Sequence, residues 1–179
     1  MKRLATLLIL LFFGLAFGQQ PQQVQISEQI LETIKKDVWT PFMESYDESD
    51  SAKLKSIHSK NIIRVTIDQN QIEMGESYLE NFGNFVENVQ KQGNKIRIAF
   101  AILTTALDES EQVAYQTGYY RFSSKRSEDK DFVVRGYGKF HVGLKKEGDQ
   151  WKIWLDSDKR IKLPHEDFNT QKIVYELGK

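Results

Sequence analysis

Three side chains in the first half of the chain have types suited to acid–base chemistry. They are Tyr46, His58 and Arg64. Histidine titrates near neutrality and can exchange protons, whereas arginine can bind a carboxylate through two parallel hydrogen bonds. If the three converge within hydrogen-bonding reach, they would form a cofactor-free acid–base site. Each also has an ordinary structural interpretation.

The structural interpretation of His58 is a cationic or hydrogen-bonding residue at the C-terminal end of a helix, a position that the helix dipole favours. No nucleophile pattern accompanies it. Arg64 alternates in step with Ile62 and Thr66, so it faces either into the fold, where it could hold a ligand carboxylate, or outward, as a cross-strand charge partner. The outward placement is favoured because an unpaired buried arginine is costly.

Other polar residues are interpreted as parts of the protein surface. Arg135, Tyr137 and His141 share the polar face of a predicted strand. We expect that face, together with Tyr119 and Arg121 on the preceding strand, to be exposed or to lie in a dimer interface, where Tyr and Arg are enriched.

Metal sites are not predicted. Asp156, Asp158 and Asp167 have the spacing of positions 1, 3 and 12 of a calcium loop, but Arg160 and Ile161 occupy positions that need a ligand and a glycine. A solvated strand end is the better interpretation of Asp156 and Asp158. The histidines (His58, His141 and His165) have no paired spacing and there is no cysteine, so we expect neither a zinc site nor thiol chemistry, and no cofactor.

The N-terminus has the pattern of a secretory signal peptide. Lys2 and Arg3 precede an apolar run, residues 4–13, and small residues precede the bond between Gly18 and Gln19. The run is too short to be a comfortable membrane span. We therefore expect a signal peptide (1–18) cleaved near Gly18-Gln19, a flexible lead (19–25), one domain (26–158) and a C-terminal tail (159–179), located in the periplasm or outside the cell.

Composition limits the partners of the mature chain. Cleavage leaves 161 of the 179 residues and removes two of the 25 basic residues, so 23 basic residues face 25 acidic ones and the net charge is near −2. This balance gives no electrostatic reason to expect nucleic acid or an anionic membrane as a partner.

Hydrophobic periodicity predicts helices first and strands afterwards. An apolar stripe from Ile26 to Met43 predicts an amphipathic helix with Ser27 as its N-cap, kinked or restarted at Pro41. The remaining predicted elements are a second helix (51–58) capped by the acidic turn 47–50, a hairpin (61–68 and 71–74), a third helix (76–93) and four long strands (95–107, 112–122, 132–145 and 151–156). Residues 168–177 are predicted as a short helix or strand covering the mouth of the fold.

These elements predict an α+β fold in which a curved antiparallel sheet wraps around the N-terminal helices. The result is a half-open cone with an apolar interior. The aromatic residues expected to line its pocket, or to pack in its core, are Trp39, Phe42, Tyr46, Phe82 and Phe100.

The order of these elements resembles the nuclear transport factor 2-like superfamily, which includes SnoaL-like polyketide cyclases, ketosteroid isomerases and many secreted bacterial proteins. The matching residues are Val38-Trp39 and Phe42; Asp47, Asp50, Leu54 and Ile57-His58; Asn61 to Val65; Gly75; and Gly148 to Ile153. The resemblance spans residues 26–158 and implies a cone with a pocket between sheet and helices, often dimeric through the sheet. It does not carry catalysis across, because Phe42 and Thr66 stand where ketosteroid isomerases have their tyrosine and aspartate base.

Three functions remain open from the sequence. The leading hypothesis is an exported, non-catalytic module that binds a small apolar or amphipathic molecule, or a protein partner. The second is a cofactor-free lyase, isomerase or cyclase acting on a small apolar substrate with His58 or Tyr46 and Arg64. The third is a structural or dimerisation role with a filled interior.

Overall fold

The computed structural model describes residues 26–178, so the predicted signal peptide and lead lie outside the described residues. The helices are α1 (Glu28–Ile34), α2 (Thr40–Glu48), α3 (Ser51–Ser56), α4 (Gly75–Lys91) and α5 (His165–Asn169). The strands are β1 (His58–Thr66), β2 (Gln71–Met74), β3 (Lys95–Leu107), β4 (Val113–Lys125), β5 (Val133–Glu147), β6 (Gln150–Ile161) and β7 (Ile173–Tyr175).

The first helix passes through Pro41 without a break. A π-helical turn joins α1 to α2, and the N–H of Thr40 bonds to the carbonyl of Lys35, five residues back. This wider turn just before Pro41 accommodates the missing N–H of the proline. The caps are as predicted, since the side chains of Ser27 and Asp50 each accept the backbone N–H three residues further on.

The described strands form one curved, unclosed sheet in the order β2-β1-β6-β5-β4-β3-β7. The four long strands β3 to β6 form the predicted antiparallel meander. The sheet is mixed rather than wholly antiparallel, because β1 pairs with β6 in parallel. The meander curves until its last strand, β6, lies beside β1. This pairing joins segments that are far apart in the sequence, and no local sequence pattern predicts it.

A bulge in β5 changes which of its side chains face the helices. Gly136 and Val134 pair with successive residues of β4, so Arg135 between them is extra, and the alternation of side chains changes phase there. Phe132 and Val134 therefore lie on the outer face, although the sequence predicted them beside the inward-facing Phe140. The bulge also separates Arg135 from the outer face on which it was predicted.

The outer face does carry Tyr137 and the exposed His141. Arg121 lies on the same face but is buried, because the segment after β6 covers it. That segment was predicted over the cone mouth. Instead α5 places Phe168 (0% exposed) against the small residues of β3, and β7 extends the sheet beyond β3.

The core lies between the inner face of the sheet and helices α2, α3 and α4. Trp39 is at its centre, with ring centroids 4.6 Å from Phe100 and 5.3 Å from Phe140. Its indole N–H donates to the side-chain oxygen of Gln116 at 2.8 Å, so the one polar atom of the ring is satisfied in an apolar setting.

Candidate acid–base cluster and binding opening

Arg64 is the centre of a buried ion cluster on the inner face of the sheet. The parallel pairing of β1 with β6 places it beside Asp156, and its guanidinium contacts the carboxylate of Asp156 at 2.6 Å and that of Asp158. The three side chains are only 18%, 11% and 12% exposed. The outward placement of Arg64 is therefore wrong, because two carboxylates offset the cost of burying it.

The prediction of a solvated strand end at Asp156 and Asp158 is wrong for the same reason. β6 does not end at these residues but continues to Ile161, and both aspartates alternate onto the inner face. Sequence reasoning assigned no functional role to either residue. The signal that could have found them is two acidic residues at alternate positions of one strand, matched by a basic residue in another.

The carboxyl of Asp158 is suited to carrying a proton. Burial and the neighbouring charge of Asp156 raise its pKa, although Arg64 acts in the opposite direction. The hydroxyl of Tyr120 donates a hydrogen bond to Asp158. Burial lowers the pKa of Arg64, but Asp156 and Asp158 more than offset this and raise it, so Arg64 stays charged.

Two more tyrosines complete the cluster. Tyr46 from α2 and Tyr78 from α4 are 7% and 5% exposed and interact electrostatically with Arg64 and Asp156. Burial raises the pKa of each phenol well above its usual value. Both therefore stay protonated at neutral pH and can act as hydrogen-bond donors but not as bases.

His58 begins β1, two residues after α3 ends, rather than closing that helix. It still hydrogen-bonds the last turn of α3, as the structural interpretation expected, although as a neutral ring and not as a cation. Its Nδ1 lies 2.8 Å from the carbonyl of Leu54, and its Nε2 is buried with no hydrogen-bond partner among the described residues. Burial lowers the pKa of His58 to about 4. The ring is therefore neutral at pH 7, with Nδ1–H donating to Leu54 and Nε2 a bare acceptor beside the rings of Phe42 and Phe82.

The three sequence candidates Tyr46, His58 and Arg64 all lie on the inner side of the cone, but among residues 26–178 no hydrogen bond joins any two of them. The charge of Arg64 acts on the titration of both Tyr46 and His58. Among residues 26–178, no group of three or more His, Asp and Glu side chains could hold a metal ion.

The five aromatic residues predicted to line a pocket are packed against one another. Phe42 contacts Phe100 and Phe82 with centroid distances of 5.1 and 6.1 Å, and Tyr46 lies 6.3 Å from Phe82. Trp39 contacts Phe100 as described above. Contact of these rings with a ligand stays a prediction.

Between the C-terminal half of α4 and the inner face of β3 and β4 lies a cavity of about 310 Å³, here called the α4 opening. Its apolar lining is Phe85, Val89, Ile96 and Phe122, and its polar lining is Asn94, Ser124, Arg126 and Arg135. The bulge in β5 brings Arg135 here, where its Nε donates to the hydroxyl of Ser124 at 2.8 Å.

The α4 opening adjoins the buried aromatic rings. The ring of Tyr46 lies 6.3 Å from Phe85 and 6.5 Å from Phe122. Phe85 is 42% exposed, so the opening offers a large apolar side chain to solvent. The buried ring of Tyr46 packs behind the opening and is not part of its lining.

Comparison with known proteins identifies the class of fold. No protein-family model matches the chain, and no curated protein matches its sequence. Solved structures do match, at low identity. The protein Aln2 from a Streptomyces species is 10% identical with a TM-score of 0.64, over 75% of this chain and 93% of that one.

Two further structures describe the class in words. An NTF2-like protein with a cystatin-like fold from Novosphingobium aromaticivorans is 8% identical, with a TM-score of 0.58 over 78% of this chain and 86% of that one. A ketosteroid isomerase-like protein from Erwinia carotovora atroseptica is 10% identical, with a TM-score of 0.55 over 76% of this chain and all of that one. The chain therefore has the nuclear transport factor 2-like cone fold, as the resemblance implied. At these identities the likeness concerns the fold alone.

Among residues 26–178, no helix is long and apolar enough to cross a membrane.

Proposed function

We propose that the protein is an exported module that binds a small amphipathic molecule at the α4 opening. One observation carries the proposal: a cavity of about 310 Å³ with four apolar side chains on its walls and two arginines among its polar lining residues. Its volume lies at the lower end of the range for small-molecule sites. The apolar walls suit a hydrophobic body, and the arginines suit an anionic group.

The opening is tested with the fluorescent probe 8-anilinonaphthalene-1-sulfonate, which joins an apolar ring system to a sulfonate. The wild-type protein, folded by near-ultraviolet circular dichroism, is expected to bind the probe. Val89→Glu places a carboxylate on the apolar wall and is expected to weaken binding at least tenfold, because burying an unpaired charge is costly.

The matched control is Asn88→Glu, which adds the same charge at the neighbouring, exposed position of α4. It is expected to bind the probe as the wild type does. Equal affinities of Val89→Glu and wild type would show that the probe does not enter the α4 opening. Native mass spectrometry of the purified protein then identifies a molecule that copurifies with it.

A protein partner is the other form of this binding hypothesis. A peptide would use the same exposed Phe85 and apolar walls. The measurement is whether a polypeptide captured by the protein displaces the probe. Displacement in Asn88→Glu but not in Val89→Glu would distinguish a peptide ligand from a small molecule.

A second candidate function is a cofactor-free lyase, isomerase or cyclase. The observation that favours it is that Tyr46, His58 and Arg64 share the inner side of the cone with Asp158, whose carboxyl has a pKa raised by burial. In D₂O, such an enzyme would exchange an acidic C–H of a recovered ligand, which proton NMR detects. Exchange by wild type that is lost in Asp158→Asn supports catalysis and contradicts the non-catalytic proposal.

Export and dimerisation complete the proposal. Support for export is the charge and hydropathy pattern of residues 1–18, and the mass of the mature N-terminus tests cleavage near Gly18-Gln19. Support for a homodimer through the sheet is an apolar area on β1 and β2 that includes Ile72 and Met74, which are 68% and 64% exposed. A monomeric mass by analytical ultracentrifugation at micromolar concentration would contradict the dimer.

A further inference from the structure

A second cavity lies mainly on the opposite face of the sheet from the α4 opening, although Met43 and Ile98, which pack in the inner core, also line it. It has a volume of about 290 Å³ and is here called the outer-face pocket. Its floor is the outer face of β3 and β4, with Ala99 and Ser123. One wall is the start of β5, and the other is the C-terminal segment, which contributes His165, Glu176 and Leu177.

The bulge at Arg135 creates the apolar wall of this pocket. Because the bulge reverses the alternation of β5, Phe132 and Val134 turn to the outer face and line the pocket. Val134 is 41% exposed. The exposed part of this wall offers apolar surface against which a hydrophobic body could pack.

Arg121 supplies a fixed positive charge to the pocket. It is 7% exposed, its Nη1 donates to the side-chain oxygen of Asn169 at 3.1 Å, and its Nη2 contacts the carboxylate of Glu176. The ring of Phe168 lies 4.9 Å from the guanidinium carbon. These contacts use two of the five N–H donors of the guanidinium and hold it in one orientation.

Arg97 supplies a second, accessible positive charge. Its Nε donates to Asp47 at 2.5 Å, and its guanidinium lies over the ring of Phe132 with the carbon 4.1 Å from the ring centroid. The side chain is 52% exposed, so its terminal nitrogens are accessible to a ligand. Asp47 is not part of the pocket lining.

Both guanidinium groups of the lining keep donors for a ligand. Arg121 pairs with Glu176 and Arg97 pairs with Asp47, and these contacts use only some of the five N–H donors of each guanidinium. A planar carboxylate would match the geometry of the remaining donors.

We propose that the outer-face pocket is a second binding site, for a small organic anion whose carboxylate contacts Arg97 and Arg121 and whose apolar body lies against Phe132, Val134 and Leu177. This site is independent of the α4 opening, because the two cavities share no lining residue.

The experiment titrates the ¹⁵N-labelled mature protein with benzoate, following amide chemical shifts. Saturable shifts are expected at Ser123, Val134 and Leu177, with an affinity that Val89→Glu in the α4 opening leaves unchanged. Benzamide, which has the same ring without the charge, is expected to bind at least tenfold more weakly. Inorganic phosphate, which has charge without an apolar body, is also expected to bind at least tenfold more weakly.

Arg97→Gln is expected to weaken benzoate binding at least tenfold, and because Arg97 is half exposed the variant should fold. Lys159→Gln removes a charge from an exposed position of β6 outside the pocket and should bind as wild type does. The proposal is overturned if wild type shows no saturable shifts, if benzamide or phosphate binds as tightly as benzoate, or if Arg97→Gln retains wild-type affinity. Shifts at Val89 instead of Ser123 would assign benzoate to the α4 opening and equally overturn it.

Discussion

Acid should destabilise the protein through His58. In the folded state burial lowers the pKa of this side chain to about 4, whereas an exposed histidine in the unfolded chain titrates near 6.5. The unfolded state therefore binds a proton more readily between these values. The contribution of the neutral His58 to the free energy of unfolding is present above pH 6.5 and is lost as the pH falls toward 4.

The size of the effect follows from the two pKa values. A difference of about 2.5 pKa units corresponds to about 3.4 kcal/mol at full protonation, and to about 2 kcal/mol between pH 7 and pH 5. Burial lowers the pKa of His58 most, and its hydrogen bond to the carbonyl of Leu54 offsets part of this effect. The positive charges of Arg64 and Lys152 lower the pKa further.

The assay is urea unfolding at pH 7 and pH 5 for wild type and His58→Asn. The asparagine amide can still donate to the carbonyl of Leu54 as Nδ1 does, but it does not titrate. The raised pKa of Asp158 acts in the opposite direction, stabilising the folded state at low pH, and the comparison removes this contribution because both proteins contain it.

Wild type is expected to lose about 2 kcal/mol more than His58→Asn between pH 7 and pH 5. His141→Asn, at an exposed position on the outer face, should lose as much as wild type. Equal losses in wild type and His58→Asn would refute the account of a buried, neutral His58.

Three substitutions test the packing of the inner face. Arg64→Met leaves two buried carboxylates without a partner and should cost about 3–5 kcal/mol in urea unfolding at pH 7, and a loss below about 1 kcal/mol would contradict a buried ion cluster. Gly138→Ala adds a methyl group that collides with the ring of Tyr120 and should cost about 1–3 kcal/mol. Gly136→Ala, two residues away with open space around it, should change stability by less than about 0.5 kcal/mol. Equal effects of the two substitutions would contradict the placement of the Tyr120 ring. Gln116→Leu leaves the buried indole N–H of Trp39 without its acceptor and should cost about 1–3 kcal/mol, measured by thermal unfolding. Unchanged stability would contradict this hydrogen bond.

Much of the fold could be predicted because its signals are local. The bounds of β3 match the predicted alternation, Ser27 and Asp50 cap helices as their side chains allow, and Gly93 follows α4 in the left-handed conformation. Each of these depends on a few neighbouring residues, and the physical rule for each involves only the backbone nearby.

The candidate site was predicted less completely because its geometry depends on pairing between distant segments. Arg64 was expected to face outward because its partners could not be identified from the sequence. Those partners, Asp156 and Asp158, lie far along the chain, in β6. Arg135 was assigned to the wrong face because one unpaired residue reverses the alternation that follows it. Neither the parallel pairing nor the bulge changes the periodicity of the sequence around it.

The sequence by itself therefore determined most of the helices and strands up to β6 and their assembly as an α+β cone, since the burial of apolar stripes depends on residue type and period. Only the tertiary structure decided which polar side chains are buried together, where the openings lie, and that the C-terminal segment closes a pocket on the outer face. Those outcomes depend on strand register and on contacts between residues far apart in the chain, which are fixed by the free energy of the whole fold and not by any one segment.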